Sequence, residues 1–246
     1  MEPSPTTPAA LLNAFRTQNP TSPRLSWYGP DSERVELSGR VLDNWIAKTA
    51  NYLVDELDAE PGTLIALDLP LHWRSMVWLL ASWAVGATVI STSSPESTTP
   101  DPFPSSDIVA TADPAAMNER LAEAKPAPLI IAVALPALQM RWMGELPPRT
   151  LDYSGDVRAH GDVFFADADP EPSDIAWQHD AATISYDTLI AASTQAPQRV
   201  LLEAREGWAA VVHSAVETWA AGGSVVLLDP SVEATERLRS SENVTA

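Results

Sequence analysis

The sequence contains no cysteine, only 10 glycines against 22 prolines, and 15 basic residues against 33 acidic ones. The missing thiols exclude disulfides, thiolate nucleophiles and cysteine metal sites. The shortage of positive charge leaves a formal net charge of −18. Such a surface repels phosphate backbones and anionic lipid, so neither a nucleic-acid partner nor a membrane-surface role is expected. Solubility is the plain reading of the charge. Long apolar runs are also lacking. The longest uncharged stretch, residues 75–95, is broken at Gly86 and fades into Ser and Thr beyond Ile90, too short and interrupted for a membrane span. Met1-Glu2-Pro3-Ser4-Pro5 has neither the basic nor the apolar region of a signal peptide. A soluble, cytoplasmic protein is the expectation.

What is present is a core. The 246 residues are 45% hydrophobic and include nine tryptophans, enough for one large domain or two lobes. Residues 1–8 read as disordered, and Ala9 to Arg16 as a helix. Leu25–Tyr28 and Arg34–Leu37 flank the turn signal Gly29-Pro30-Asp31 as a hairpin. Ser38 then caps a helix whose apolar stripe is Val41, Leu42, Trp45, Ile46, Thr49, Tyr52 and Leu53. Strand Thr63–Asp68, helix Trp73–Val85, Gly86 and strand Ala87–Ser91 make a βαβ unit with a parallel sheet. A Ser/Thr/Pro loop at 91–106 precedes strand 107–110, a helix from Pro114 to Ala124 and strand 128–135. Residues 144–176 are proline-rich and acidic, with one apolar patch at Val163-Phe164-Phe165. Beyond them come Thr183–Ser185 leading into a helix from Tyr186, strand Arg199–Glu203, helix Trp208–Ala221, Gly222-Gly223 and strand Ser224–Leu228.

The C-terminal elements repeat the earlier ones. Laying Gly86 on Gly222 also lays Trp83 on Trp219, Thr88-Val89-Ile90 on Ser224-Val225-Val226 and Leu64-Ile65-Ala66 on Val200-Leu201-Leu202, without a gap. Similar packing demands account for part of this agreement; Trp-Ala-x-Gly is not forced by propensity. The fold class expected is α/β, with two similar three-layer lobes of mainly parallel sheet flanked by helices. Their bounds are 9–143 and 177–232, with 144–176 as connection and 233–246 as tail.

Candidate chemistry is sparse. No Gly-x-Ser-x-Gly elbow, Gly-x-Gly-x-x-Gly or phosphate-loop signature occurs. None of His72, His160, His179 and His213 has a metal-ligand partner at suitable spacing, so no metal is expected. His213, within an apolar helix, reads as a hydrogen-bonded core histidine. His72 follows a strand's C-terminal end, where open α/β sheets bind ligands. Asp68, His72, Trp73 and Arg74 are therefore the candidate wall of a small-ligand cleft, and an ordinary helix start is the plainer alternative. Asp167, Asp169, Glu171 and Asp174 have the spacing of a calcium loop, but Pro172 stands where its turn needs glycine, so a solvated acidic loop is preferred. Glu203, Arg205 and Asp229 end the later strands. Trp73, Trp78, Trp83, Trp208 and Trp219 read as core or lobe-interface packing, with a stacking site for a planar ligand as the minor alternative.

Three stretches carry a family resemblance: residues 36–70, residues 77–90 (VWLLASWAVGATVI) and residues 199–245, with RVLLEA and WAAGGSVVLLDP. They resemble the N-terminal domain of the AMP-binding superfamily, the adenylate-forming enzymes that include acyl-CoA synthetases and luciferases. Residues 151–162, LDYSGDVRAHGD, also resemble an uncharacterised bacterial family of short proteins distantly similar to these enzymes. The resemblance implies a Ser/Thr/Gly-rich phosphate loop ending in Pro-Lys-Gly just before the helix at Tyr186. Residues 175–183, IAWQHDAAT, contain neither glycine nor lysine. Trp208 falls near the position of a family histidine, and the family's ribose-binding aspartate and catalytic-lysine domain have no counterpart in these 246 residues. The resemblance thus implies a shortened, non-catalytic relative with a remnant cleft and no cofactor. Two alternatives stand beside it: a structural protein whose uncovered faces meet a second copy or another protein, and a subunit completed in trans.

Overall fold

The structure is a computed structural model that describes residues 4–92 and 101–245. In chain order its elements are α1 (Pro8–Thr17), β1 (Pro23–Tyr28), β2 (Arg34–Ser38), α2 (Gly39–Leu57), β3 (Leu64–Asp68), α3 (Trp73–Ala84), β4 (Thr88–Ser91), β5 (Ile108–Thr111), α4 (Pro114–Arg120), β6 (Leu129–Ala132), β7 (Thr150–Asp152), α5 (Tyr153–Asp156), β8 (Ile175–His179), β9 (Ala182–Ser185), α6 (Tyr186–Leu189), β10 (Arg199–Glu203), α7 (Trp208–Ala220), β11 (Ser224–Leu228) and α8 (Glu236–Ser241). The fold is mixed α/β, as expected. Its larger sheet has seven mainly parallel strands in the order β7-β6-β5-β3-β4-β8-β9; the smaller has the order β10-β11-β1-β2.

The chain forms two compact units, and neither is continuous. The first comprises Met1–Trp45, Pro70–Met76 and Asp187–Ala246; the second comprises Ile46–Leu69 and Val77–Tyr186. These are not the sequential lobes 9–143 and 177–232. The reason lies in the hairpins. In β1 the residues from Arg24 to Trp27 are buried, which demands an interior position with partners on both sides. β1 finds β11 in parallel, Leu25 beside Val225, and β2 in antiparallel, Leu25 beside Leu37. β8 likewise pairs in parallel with β4, Val89 beside Trp177, and with β9, where Trp177 faces Ile184. Each hairpin thus completes the sheet built on the other repeat's βαβ unit.

The repeat holds in detail with one correction. Both helices end in a Schellman motif. The amide of Ala87 donates to Ser82 O at 2.9 Å and that of Gly86 to Trp83 O; Gly223 donates to Thr218 O and Gly222 to Trp219 O. The two glycines have φ of +80° and +79°, a left-handed conformation that glycine adopts without steric cost. The first strands, however, do not share the spacing of the glycines. Leu64 pairs with Thr88 and Arg199 with Ser224, so the first strands are offset by one position less than the second (199 − 64 against 224 − 88). Trp73 and Trp208, which open the helices, share the smaller offset (208 − 73). The added residue lies inside α7, which has 13 residues to the 12 of α3.

Other expectations shift locally. Ser4 to Pro8 are not disordered: the Ser4 hydroxyl donates to Ala220 O and accepts from the Ser193 amide, and Thr7 caps α1. The supposed connection 144–176 contributes β7 and α5, and β7 pairs in parallel with β6. The helix from Pro114 stops at Arg120, short of Ala124. The tail holds α8. Residues 93–100 of the Ser/Thr/Pro loop lie outside the described residues. Val41, placed in the apolar stripe, is exposed.

The core of each unit is dense with tryptophan. Trp27 and Trp219 in the first unit and Trp78 and Trp83 in the second are almost wholly buried, which settles the packing reading for Trp78, Trp83 and Trp219. Trp219 donates its indole hydrogen to Arg24 O at 2.8 Å, and Trp83 donates to Ala176 O at 2.9 Å. These large apolar rings therefore also fix strand positions.

Arg24 ties the first unit together. Its buried guanidinium donates to Gln18 O, at the C-cap of α1, and to Gly222 O and Gly223 O, just past α7. It therefore neutralises the negative ends of two helices and satisfies carbonyls that have no helical donor. Replacing Arg24 by Met is expected to cost about 3 kcal/mol, from the lost charge-assisted hydrogen bonds to buried carbonyls. Urea denaturation of wild type and variant checks this, and a loss under about 0.5 kcal/mol would mean the helix ends find other partners.

Candidate functional site

The residues proposed from sequence as a cleft wall are divided between the two units. Asp68, at the end of β3, belongs to the second unit, where its carboxylate accepts a hydrogen bond from the Thr111 hydroxyl at 2.6 Å. His72, Trp73 and Arg74 belong to the first unit and are buried, His72 to 4% and Arg74 to 1% exposure. Their arrangement is that of a helix start. The Ser75 hydroxyl accepts from the His72 amide and donates to the His72 carbonyl, at 2.8 and 2.7 Å. The His72 Nδ1 accepts from the Arg74 amide at 3.1 Å, which fixes its ring as the tautomer protonated at Nε2 if neutral.

Aromatic rings enclose this turn. Trp27 meets the His72 ring edge-on at 4.8 Å, and the Arg74 guanidinium lies 4.4 Å from the Trp73 ring and 5.8 Å from that of Trp45. The cation is stabilised by ring faces in a dry environment. Burial, and then the neighbouring Arg74 charge, depress the His72 pKa to about 3, against a smaller opposing pull from Asp229. His72 is thus a neutral packing element at physiological pH.

In the second unit, the segment before Tyr186 folds as a tight hairpin. β8 and β9 are joined by Asp180 and Ala181 alone, with Asp180 at φ +50°, a left-handed residue of the kind two-residue hairpins require. Ser91, at the end of β4, is its anchor. The Ser91 hydroxyl accepts from Trp177 Nε1 and shares a hydrogen bond with His179 Nδ1, both at 2.9 Å, while its carbonyl accepts from the Asp180 amide. Serine, histidine and an aspartate 3.7 Å from His179 Nε2 have the composition of a nucleophilic triad. Ser91 is nonetheless 1% exposed and its hydroxyl is engaged on both sides, so it positions the hairpin. Tyr186 closes the segment by donating to Ala87 O at 2.8 Å; burial raises its pKa.

The first unit also has an open polar cleft of about 570 Å³, lined by Arg24, Arg34, Glu36, Arg199 and Glu242 among others. The Glu242 carboxylate is buried and accepts from Tyr28, from Arg34 Nε and Nη2 at 3.1 and 2.9 Å, and from Arg199. Burial alone would raise its pKa, but hydrogen bonds from Tyr28, Arg199 and Arg34 hold it below the usual carboxylate range. Arg199 also donates to the buried Ser26 hydroxyl at 3.0 Å. This network fastens α8 against the sheet, where Leu201, Val226 and Leu228 meet Leu238 and Val244. Sequence reasoning missed it because its members lie far apart in the chain and no local spacing signals them.

The remaining candidates are ordinary. His213 is exposed on α7, a correction to the core reading, because it falls on the helix's outer face between buried Val212 and Ala215. Trp208 is buried. Glu203 pairs with Arg205 at 2.7 Å, and Asp229 accepts from Ser231. Of the acidic loop, Asp167, Asp169 and Glu171 are exposed. Among the described residues no group of three or more His, Cys, Asp or Glu is placed to hold a metal ion, and no helix is long and apolar enough to cross a membrane.

Comparison with solved structures identifies the architecture. An acyl-CoA synthetase of Brucella canis matches over 97% of this chain and 46% of its own, with a TM-score of 0.69 at 17% identity. A fatty acyl CoA synthetase of Mycobacterium tuberculosis matches over 97% and 48%, with a TM-score of 0.67 at 14% identity. The inhibitor-bound N-terminal domain of FACL13 from the same organism matches over 97% and 61%, with a TM-score of 0.69 at 14% identity. The chain therefore has the α/β fold of the N-terminal part of acyl-CoA synthetases and spans about half the length of the first two. No family model matches it. A Mycobacterium tuberculosis protein described as a TIGR03089 family protein is 33% identical over 257 residues, covering 98% of both chains. The chain belongs to the TIGR03089 family.

The two buried polar groups generate stability predictions. The unfolded chain protonates His72 near pH 6.5 while the folded protein holds it neutral to about pH 3, so its stabilisation is complete above pH 6.5 and declines as pH falls. The difference in unfolding free energy between wild type and His72→Gln should be constant above pH 7 and should shrink by about 2 kcal/mol on going to pH 5; a flat difference would contradict the burial argument. Glu242→Gln removes the carboxylate that Arg34 and Arg199 share, while Glu36 stays beside both, and should cost about 2 kcal/mol, with faster amide exchange concentrated in α8.

Proposed function

We propose that this protein is a non-catalytic relative of the acyl-CoA synthetases, located in the cytoplasm, which keeps their α/β scaffold without the groups that handle ATP. The observation that carries this reading is the β8–β9 hairpin before Tyr186. A phosphate cradle needs successive backbone N–H groups turned outward, and a lysine is the usual partner for the charge. The Asp180 amide is committed to Ser91 O, β8 is paired on both sides by β4 and β9, and the turn carries the Asp180 carboxylate. A carboxylate at that point repels a triphosphate. His72, Trp73 and Arg74 support the same reading, since their side chains are absorbed into packing and leave no charged group presented to a ligand from that turn.

The test is pyrophosphate exchange with ATP, magnesium and a mixture of short- to long-chain carboxylic acids. Radiolabel incorporation into ATP should not exceed that of a protein-free blank. Exchange above the blank by the purified chain would overturn the proposal, and exchange only on adding a co-purifying protein would favour a subunit completed in trans.

A further inference from the structure

Exposed apolar side chains of the second unit gather on two segments. Leu138 (93% exposed), Met140 and Met143 (73%) lie between β6 and β7; Val163 and Phe165 (81%) lie between α5 and β8. The segments are linked. The Arg158 guanidinium donates to Met140 O at 3.2 Å, and Lys48 Nζ binds Arg158 O and His160 O and pairs with Asp162. Beside Phe165 is a cleft of about 410 Å³ whose apolar lining includes Val54, Pro61, Val85 and Phe164. Single exposed apolar residues are ordinary, whereas Leu, Met and Phe grouped with Arg have the composition of a protein interface.

The charges on the two segments are opposite. On the first, Arg141 and Arg149 outnumber Glu145; Asp162, Asp167, Asp169 and Glu171 occupy the second. Among the described residues none of Arg141, Arg149, Asp167 and Asp169 forms an ion pair. One unit therefore carries an apolar projection with net positive charge and a cleft in which apolar side chains alternate with Asp58, Glu60 and Asp167. A second copy of the same chain supplies both complements at once.

We propose that this face is a homodimer surface, in which Leu138 and Met143 of one copy enter the cleft beside Phe165 of the other, and Arg141 of each copy meets Asp167 of its partner. The exchange is reciprocal, so the pair closes on itself. Neither contact uses the β8–β9 turn, so the proposal is independent of whether the protein handles ATP.

The test is sedimentation equilibrium of the full chain over a wide concentration range. The mass should rise from 26.5 kDa toward twice that value. Leu138→Asp with Met143→Asp should raise the dissociation constant by about tenfold or more, with an unchanged circular dichroism spectrum and the melting temperature of the dilute, monomeric wild type. Arg141→Glu and Asp167→Arg should each weaken the pair and should restore it together. A monomer at every concentration, a dimer indifferent to the two aspartates, or a double charge reversal no tighter than the single ones would overturn the proposal.

Discussion

The first unit depends on one closure: β1, from the beginning of the chain, lies beside β11, from near its end. Leu25 pairs with Val225, Trp219 donates its indole hydrogen to Arg24 O, and the Arg24 guanidinium binds the carbonyls of Gly222 and Gly223. Without β1, the edge of β11 would be unpaired and the Trp219 indole would lose its acceptor. Contacts between positions so distant in sequence carry a large ordering cost before they return any stability. The side chains gathered there are suited to offset it: a buried cation at two helix ends, two large indoles and a fully paired strand.

The second unit solves a similar problem with neutral groups. Ser91 receives the Trp177 indole, the His179 ring and the Asp180 amide, and Trp83 and Tyr186 bind main-chain carbonyls on either side. Chemistry-bearing residues are thus present, yet each is saturated by its neighbours. A fold shared with acyl-CoA synthetases at only 17% and 14% identity shows how far one architecture can be kept across divergent sequences.

Much of the fold is legible in the sequence because it is written in local patterns. Pro-Gly and Gly-Gly stops, the apolar runs at 64–68 and 224–228, and the Trp-Ala-x-Gly signature mark elements by periodicity and turn chemistry. The strand partners are not local. Nothing around Leu25 tells it to seek Val225 in place of the nearer β3. β7 escaped notice because Thr150-Leu151-Asp152 is short and lies in a proline-rich setting. The spacing of the repeat misleads by one position because a helix absorbs an insertion that leaves its apolar face largely intact. For the candidate site, position was readable and state was not: His72 does follow a strand end, but only the structure reveals that Trp27, Trp73 and Ser75 enclose it. The Glu242 network joins β1, β2, β10 and the tail, and no sequence window contains it.

The exchanged hairpins bear on ancestry. A single copy of the repeated segment would carry a hairpin for which its own βαβ unit has no reserved place in this arrangement, since each sheet here is completed by the other copy's hairpin. Two separate copies could each satisfy the other by reciprocal strand donation. The present chain has the topology of such an intertwined pair with the two polypeptides joined end to end, which makes gene duplication and fusion a direct structural account of why neither unit is continuous in sequence.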